Sequence, residues 1–232
     1  MTQRELERLD KAIYRAPSRT RNFKRIACYA LLAATVITVP GMASAQSPFT
    51  LDNKGEFFKL NNPGDPNFNQ LLGINDHEII AGYFGDGTVV FNNGYVLVPN
   101  THYSVENFTG TPPPPPHNII QQTQAIGINN KDVPLIVGFW QDSTGLQFGF
   151  EDVKGVFTTI LDPNATAGST NQNLLGVNDF DEAAGFWTDS GGHEHGFIVS
   201  LDSNPPQFTE IPPTLFNGAV ATQASGINDK DR

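Results

Sequence analysis

Cysteine is almost absent from this 232-residue sequence, whose one cysteine, Cys28, lies within the first 45 residues. Charged residues are scarce at 16%, and no helical periodicity is found after residue 45. Without charge-rich helices a coiled coil is excluded, and without paired cysteines a disulfide scaffold is excluded. The chain after residue 45 therefore lacks disulfides, thiol nucleophiles and cysteine-ligated metals. Disorder is disfavoured, because 38% of the residues are hydrophobic and 17 are phenylalanine.

Long hydrophobic runs are also missing. The one marked apolar run, Ile26–Val39, has 14 residues, whereas a membrane-spanning helix needs about 20. Basic residues precede this run, and Ala43-Ser44-Ala45 follows it. The pattern predicts a helical signal peptide over residues 1–45, cleaved after Ala45, and a secreted or periplasmic protein with no membrane span after cleavage. Cys28 lies at the start of the run rather than its end, which disfavours a lipid anchor.

Positive charge is rare once the predicted signal peptide is set aside. That segment contains eight of the 14 Lys and Arg residues and three of the 24 Asp and Glu residues. Residues 46–232 therefore contain six basic and 21 acidic residues. Such a surface repels phosphate backbones, so nucleic acids and polyanionic substrates are disfavoured as partners.

What the sequence does contain is an internal repeat of about 50 residues. A Gly-Ile/Val-Asn-Asp/Asn motif occurs four times with spacings of 54, 49 and 50, at Gly73–Asp76, Gly127–Asn130, Gly176–Asp179 and Gly226–Asp229. A small-Gly-aromatic-aromatic element follows the first three motifs, at Ala81–Phe84, Val137–Trp140 and Ala184–Trp187. A glycine-aromatic strand, a further strand and a proline complete each unit.

Each unit is predicted to form four short strands separated by Gly, Asn, Asp and Pro turns. Four strands per repeat are typical of a kelch-like β-propeller blade. We therefore expect an all-β fold, an incomplete β-propeller over residues 46–232. The half unit is 47–68, the full units are about 69–116, 117–165 and 166–215, and the partial unit is 216–232. Because the last unit stops after its first strand and turn, the sequence is interpreted as truncated.

The repeated pattern resembles the bacterial extracellular HAF repeat family, over most of residues 47–232. The Gly-Ile-Asn and glycine positions carry the resemblance, and His195-Gly196-Phe197 is closest to the His-Ala-Phe element. The other units depart from that element, with Phe148-Gly149-Phe150 and Asn93-Gly94-Tyr95. The resemblance implies secretion and a β-repeat architecture. It implies no established activity, so no functional residue is transferred.

Two histidines form the first candidate ligand-binding or metal site. His193 and His195 are two residues apart, so on a strand they share one face. A zinc site needs a third ligand, and a structural pair that bonds a turn is the competing interpretation.

Acidic turns form a second candidate, for calcium. Asp179, Asp181 and Glu182 could supply oxygen ligands, although Asn-Asp pairs are also what a hairpin turn requires. No EF-hand or nonapeptide calcium pattern is present, so the favoured expectation is no cofactor.

The aromatic pairs form a third candidate. Trp140 and Trp187 could stack on sugars, but adjacent aromatic residues point to opposite faces of a strand. In a propeller both faces pack against neighbouring blades, so a core role is favoured.

No nucleophile elbow, zinc-helix motif or phosphate loop is present, so catalytic residues stay unassigned. The favoured hypothesis is a secreted, non-enzymatic scaffold or binding module for extracellular protein or glycan. The alternative is an extracellular propeller hydrolase or lyase acting on polysaccharide, which would gather two or three carboxylates from different blades. A third hypothesis is a cell-surface structural protein.

Overall fold

The computed structural model describes residues 49–51, 57–65, 67–98, 102–112, 117–165 and 171–230. The predicted signal peptide lies outside these residues. Within them the fold is all-β, as predicted, with one 3-10 turn at Pro213–Leu215 and no helix able to cross a membrane. The strands are β1 (Phe49–Leu51), β2 (Phe57–Lys59), β3 (Asn69–Ile74), β4 (Ile80–Phe84), β5 (Asn93–Val98), β6 (His102–Val105), β7 (Ile120–Ile128), β8 (Leu135–Asp142), β9 (Gln147–Val153), β10 (Val156–Ile160), β11 (Asn171–Val177), β12 (Glu182–Thr188), β13 (Glu194–Ser200) and β14 (Gln207–Ile211).

Strands β3 to β14 form three antiparallel meanders of four strands. Meander I contains β3–β6, meander II contains β7–β10 and meander III contains β11–β14. Within each meander every strand pairs with the next, so the connections are hairpins. One parallel pair, Asn171 with Gln147, joins meanders II and III into an eight-stranded sheet. Strands β1 and β2 form a separate antiparallel pair.

Two apolar cores lie between the meanders. The I–II core contains Ile79, Ala81, Val96, Val98, Ala125, Ile128 and Ile136. The II–III core contains Leu135, Val137, Ile160, Leu174, Val177, Ala183, Trp187, Phe197 and Val199. Strand β8 contributes Ile136 to one core and Leu135 and Val137 to the other. Its two faces are both buried, which explains why its sequence is apolar without alternation.

The first strands of neighbouring meanders approach each other at the motif glycines. A Cβ on Gly127 would lie 3.0 Å from the Cα of Gly176, and a Cβ on Gly176 would lie 3.0 Å from the Cα of Gly226. Strands β7 and β11 also change register just before these glycines. Gly127 and Gly176 are needed here, because a side chain on either would separate the adjacent backbones.

The motif asparagines join the units through an asparagine relay, which we define as Asn75, Asn129, Asn178 and Asn228. The side-chain Nδ2 of each of the first three donates to the backbone oxygen of the next, over 3.0, 3.2 and 3.2 Å. Each Oδ1 accepts backbone N–H groups of its own following turn. One residue type therefore closes a hairpin and links it to the next unit.

Candidate functional site

An acid–histidine cluster lies at the edge of the interface between meanders II and III. We define it as Asp162, Asp189, His193, His195 and Glu210, together with the neighbouring Trp187. Asp162 follows β10, Asp189 and His193 belong to the turn between β12 and β13, and Glu210 lies on β14. The meander topology thus brings together residues from three separate stretches of sequence.

Asp189 organises the turn and faces both histidines. Its Oδ1 accepts the backbone N–H groups of Gly191 and His193, each over 2.8 Å. Its Oδ2 lies 3.2 Å from Nδ1 of His193 and 3.3 Å from Nε2 of His195. The hydrogen bond from the His193 backbone is the largest cause that lowers the pKa of Asp189 to about 2, so this carboxylate stays ionised.

His195 bridges two carboxylates while its ring stacks on Trp187. Its Nδ1 lies 2.8 Å from Oε1 of Glu210, and its Nε2 contacts Asp189. The ring centroids of His195 and Trp187 are 4.1 Å apart, with planes 7° from parallel. Burial lowers the pKa of His195, but its hydrogen bonds with Glu210 and Asp189 outweigh this effect and raise the pKa overall. Protonated His195 is thus stabilised between two carboxylates.

Two buried polar atoms near this bridge have no hydrogen-bond partner among the residues that the structure describes. They are Oδ2 of Asp162 and Nε1 of Trp187, on residues that are 3% and 5% exposed. Burial raises the pKa of Asp162 and its hydrogen bonds with Asn164 lower it, while the charge of Glu210 raises it further and that of His195 lowers it. The cluster therefore offers an unused acceptor and an unused donor.

Meander II has the same positions but fills them differently. Trp140 corresponds to Trp187, and its cross-strand partner Phe148 corresponds to His195. Thr159 corresponds to Glu210, because Thr159 pairs with Phe150 and Glu210 pairs with Phe197, which occupy equivalent positions on the third strands. Phe108 corresponds to Asp162. The backbone N–H of Phe108 donates to the side chain of Thr123, and that of Asp162 donates to the side chain of Gln172. Each of these acceptors lies four residues before the motif glycine of its unit.

In this counterpart a threonine satisfies the indole N–H, and Asp142, at the position of Asp189, lies 2.6 Å from Nδ1 of His117. Trp140 stacks on Phe108 at 5.0 Å and on Phe148 at 4.5 Å, and its Nε1 donates to Oγ1 of Thr159 over 3.3 Å. The same scaffold position is therefore aromatic in one interface and charged in the next.

The structure brings together three of the four residues that the sequence singled out as ligand candidates. His193, His195 and Trp187 lie in the cluster, whereas Trp140 lies in the apolar counterpart and is 0% exposed. Both indoles are buried, so neither presents an open ring face to solvent. Sequence reasoning missed Asp162, Asp189 and Glu210. Asp162 and Glu210 could have been found by comparing equivalent positions of successive repeat units, because Phe108 and Thr159 stand at these positions one unit earlier.

Of the acidic residues considered for calcium, Asp179 and Asp181 take part in contacts between units, and Glu182 bonds within its own turn. Asp179 accepts the backbone N–H of Asn130 over 2.6 Å, and Asp181 accepts Nζ of Lys131 over 2.6 Å. Oε2 of Glu182 accepts Nδ2 of Asn178 over 2.7 Å. Within the described part of the chain, no group of three His, Cys, Asp or Glu residues could hold a metal ion.

A second pair of acids is enclosed in the I–II interface. Glu106 follows β6 and Asp152 lies on β9, and both residues are buried. The two carboxyls hydrogen-bond each other, but Oε1 of Glu106 and Oδ1 of Asp152 have no partner in the described part of the chain. Burial is the main cause that raises the pKa of both carboxyls, and the neighbouring Asp152 raises that of Glu106 further. The equivalent positions in the II–III interface are Ile160 and Val199, both in the core.

No family model, curated protein or solved structure matches this chain.

Proposed function

We propose that this chain is a secreted, non-enzymatic repeat protein that acts as a scaffold or binding module, with its meanders arranged as blades of an incomplete β-propeller. Three consecutive four-stranded meanders that pack face to face support the blade arrangement. The predicted signal peptide supports secretion. Membership of the HAF repeat family belongs to the same proposal and rests on the sequence resemblance.

The asparagine relay is the observation that carries the scaffold role. Asn129, for example, uses Oδ1 for the N–H of Leu135 and Nδ2 for the oxygen of Asn178. The residue after each of the first three motif asparagines also bonds the next unit: the N–H of Asp76 donates to Asn130, and that of Asp179 donates to Asp229. The repeated polar side chains thus hold units together and are not gathered for chemistry.

A hydrolase acting on polysaccharide is the second candidate, and one observation favours it. Within the acid–histidine cluster, burial raises the pKa of Asp162, whereas backbone hydrogen bonds lower that of Asp189 to about 2. Carboxyls whose pKa values are pushed apart are what acid–base catalysis of glycoside cleavage requires.

One experiment separates the two candidates. The full chain, exported and processed, is incubated with insoluble polysaccharides, and both co-sedimentation and release of reducing ends are measured. We expect retention of the protein on a polysaccharide without new reducing ends. Reducing ends that disappear in Asp162→Asn would establish the hydrolase. Absence of retention on any polysaccharide and on immobilised extracellular proteins would reject a binding module.

A further inference from the structure

The buried pair Glu106 and Asp152 stands where the neighbouring interface is apolar. Its counterpart between meanders II and III is Ile160 with Val199, and both of these residues belong to the II–III core. Two carboxyls at such a position cost stability, because burial removes their hydration and two of their oxygens gain no protein partner in the described chain. Packing alone therefore does not account for the pair.

The other face of meander I also has an apolar pair at this position. Leu60, which follows β2, packs in one cluster with Leu97 of β5. Leu60 occupies the place of Glu106, because it lies two residues before Asn62, whose backbone N–H donates to a side chain four residues before the motif glycine. In the described part of the chain, only the I–II interface has carboxyls here.

The acid pair lies between the two apolar clusters of the I–II interface. Asp152 pairs across the sheet with Ile136 of the I–II core, and Phe150, two residues before it, contacts Phe108 of meander I. Both carboxyls are buried, and they hydrogen-bond each other. This bond requires a proton on one of them, since an ionised carboxylate only accepts.

Few other charges lie on the strands around the pair. Strands β4, β5, β7 and β10 contain no charged residue, and β8 contains only Asp142 at its far end. Strand β6 contains His102, four residues before Glu106. On β9, Glu151 lies on the opposite face from Asp152, and Lys154 lies in the exposed turn that follows. Burial and then Asp152 raise the pKa of Glu106, so the last proton of the pair is held strongly.

The joint between meanders I and II is the one without strand pairing among the described strands. Meander I is a sheet of its own, whereas Asn171 pairs with Gln147 and joins meanders II and III. Backbone contacts across the I–II joint are single bonds, such as that from the N–H of Thr123 to the oxygen of Asn92 over 2.9 Å. A repulsion in this joint therefore acts where side chains and single bonds hold the sheets together.

We propose that Glu106 and Asp152 form a pH-sensitive latch, which holds meander I against meander II while the two carboxyls share a proton and releases meander I when both are ionised. Loss of that proton to solvent removes the hydrogen bond between the carboxyls and leaves two buried negative charges side by side. Rising pH thus opens the I–II joint while the II–III interface, with its apolar pair, stays closed. Acid closes the joint again.

Tryptophan fluorescence tests the latch, because the two tryptophans lie in different interfaces. Trp140 packs against Phe108 in the I–II interface, and Trp187 belongs to the II–III core. The full chain, exported and processed, is prepared as Trp187→Phe, which leaves Trp140, and as Trp140→Phe, which leaves Trp187. Quenching by the neutral molecule acrylamide measures how exposed each indole is. Between about pH 5 and pH 9, the quenching constant of Trp140 should rise at least about threefold while that of Trp187 changes little.

Three variants in the Trp187→Phe background assign the effect. The double change Glu106→Ile and Asp152→Val installs the pair of the II–III interface and should leave Trp140 protected at every pH. Glu106→Gln keeps the shape and can donate to Asp152, so it should also abolish the rise, which keeps the test decisive if the double variant misfolds. Glu151→Gln removes a carboxyl from the opposite face of the same strand and should retain the rise.

The latch is overturned by any of three results. Trp140 may stay equally protected from acid to alkaline pH, which would show that the joint does not open. An equal rise for both tryptophans would show that the whole fold loosens rather than one joint. A rise that survives Glu106→Gln would assign the opening to another titrating group.

Discussion

Replacing Glu106 by glutamine should stabilise the protein at neutral and alkaline pH. Glu106 and Asp152 are enclosed between meanders I and II, and one oxygen of each lacks a hydrogen-bond partner. A buried polar atom without a partner costs about 1–3 kcal/mol. A glutamine amide has the same shape and can donate to Asp152, so Glu106→Gln should raise the free energy of unfolding by about 1–3 kcal/mol at pH 8.

The sign of the pH dependence follows from the raised pKa values. Because the pKa of each carboxyl is higher in the folded than in the unfolded protein, the folded state binds more protons above about pH 4. The pair is therefore least destabilising at low pH, and stability falls as pH rises from 4 through the folded-state pKa values. The advantage of Glu106→Gln should vanish near pH 4 and grow toward pH 8.

Thermal unfolding at pH 4 to 8 measures this effect, at about 2–4 °C per kcal/mol for a chain of this size. Glu78→Gln makes the same chemical change at an exposed turn and should leave the midpoint unchanged. The double change Glu106→Ile and Asp152→Val copies the Ile160–Val199 pair and should remove the pH-dependent component altogether. A midpoint for Glu106→Gln that is lower than that of the wild type at pH 8 would refute the reasoning.

Three further outcomes are expected. Asn129→Ala leaves the buried backbone N–H of Leu135 without its partner, whereas the oxygen of Asn178 keeps the N–H of Asp181; because an unpartnered buried donor costs about 1–3 kcal/mol, urea unfolding should show a loss of about that size, and a loss below about 0.5 kcal/mol would remove the relay as a stabilising element. Gly185→Ala places a Cβ 2.1 Å from a backbone oxygen of the facing strand, whereas Gly226→Ala meets nothing within 4 Å; circular dichroism should show a misfolded first variant and a native second one, and two native variants would contradict this. Protonated His195 should quench Trp187, so fluorescence should rise with pH with a midpoint above 6.5; a midpoint below 6.5 would contradict the carboxylate bridge.

The strand pattern could be predicted from the sequence with little error. The repeat predicts four short strands in each full unit, and the structure has four in each of the three meanders. The reason is that glycine, asparagine and aromatic positions recur in one phase, so each unit confirms the boundaries of the others. The HAF resemblance and the signal peptide stay predictions.

The candidate site could be predicted only in part. His193 and His195 are neighbours in sequence, so their proximity is visible from spacing alone. Asp162 and Glu210 are 48 positions apart and belong to different meanders, and their charges interact only because the chain folds. Nothing in their local sequence separates them from the other acidic residues. Only the comparison of equivalent repeat positions shows that they replace an aromatic ring and a threonine.

The two interfaces differ from each other at two positions, one deeply buried and one nearer the edge of the sheets. In the I–II interface the inner position, which lies deeper between the meanders, holds the acidic pair Glu106 and Asp152. The outer position, nearer the edge of the sheets, holds the aromatic rings of Phe108 and Trp140. In the II–III interface the inner position is apolar, Ile160 with Val199, and the outer position is the acid–histidine cluster. A buried acid pair can change only the stability of the interface, because no ligand reaches it without separating the meanders. A charged outer position remains accessible while the apolar pair beneath it keeps the interface closed. An acid–histidine contact also lies beside the aromatic position of meander II, where His117 faces Asp142 and Phe148, so the two interfaces differ most in whether the pair beneath is acidic or apolar.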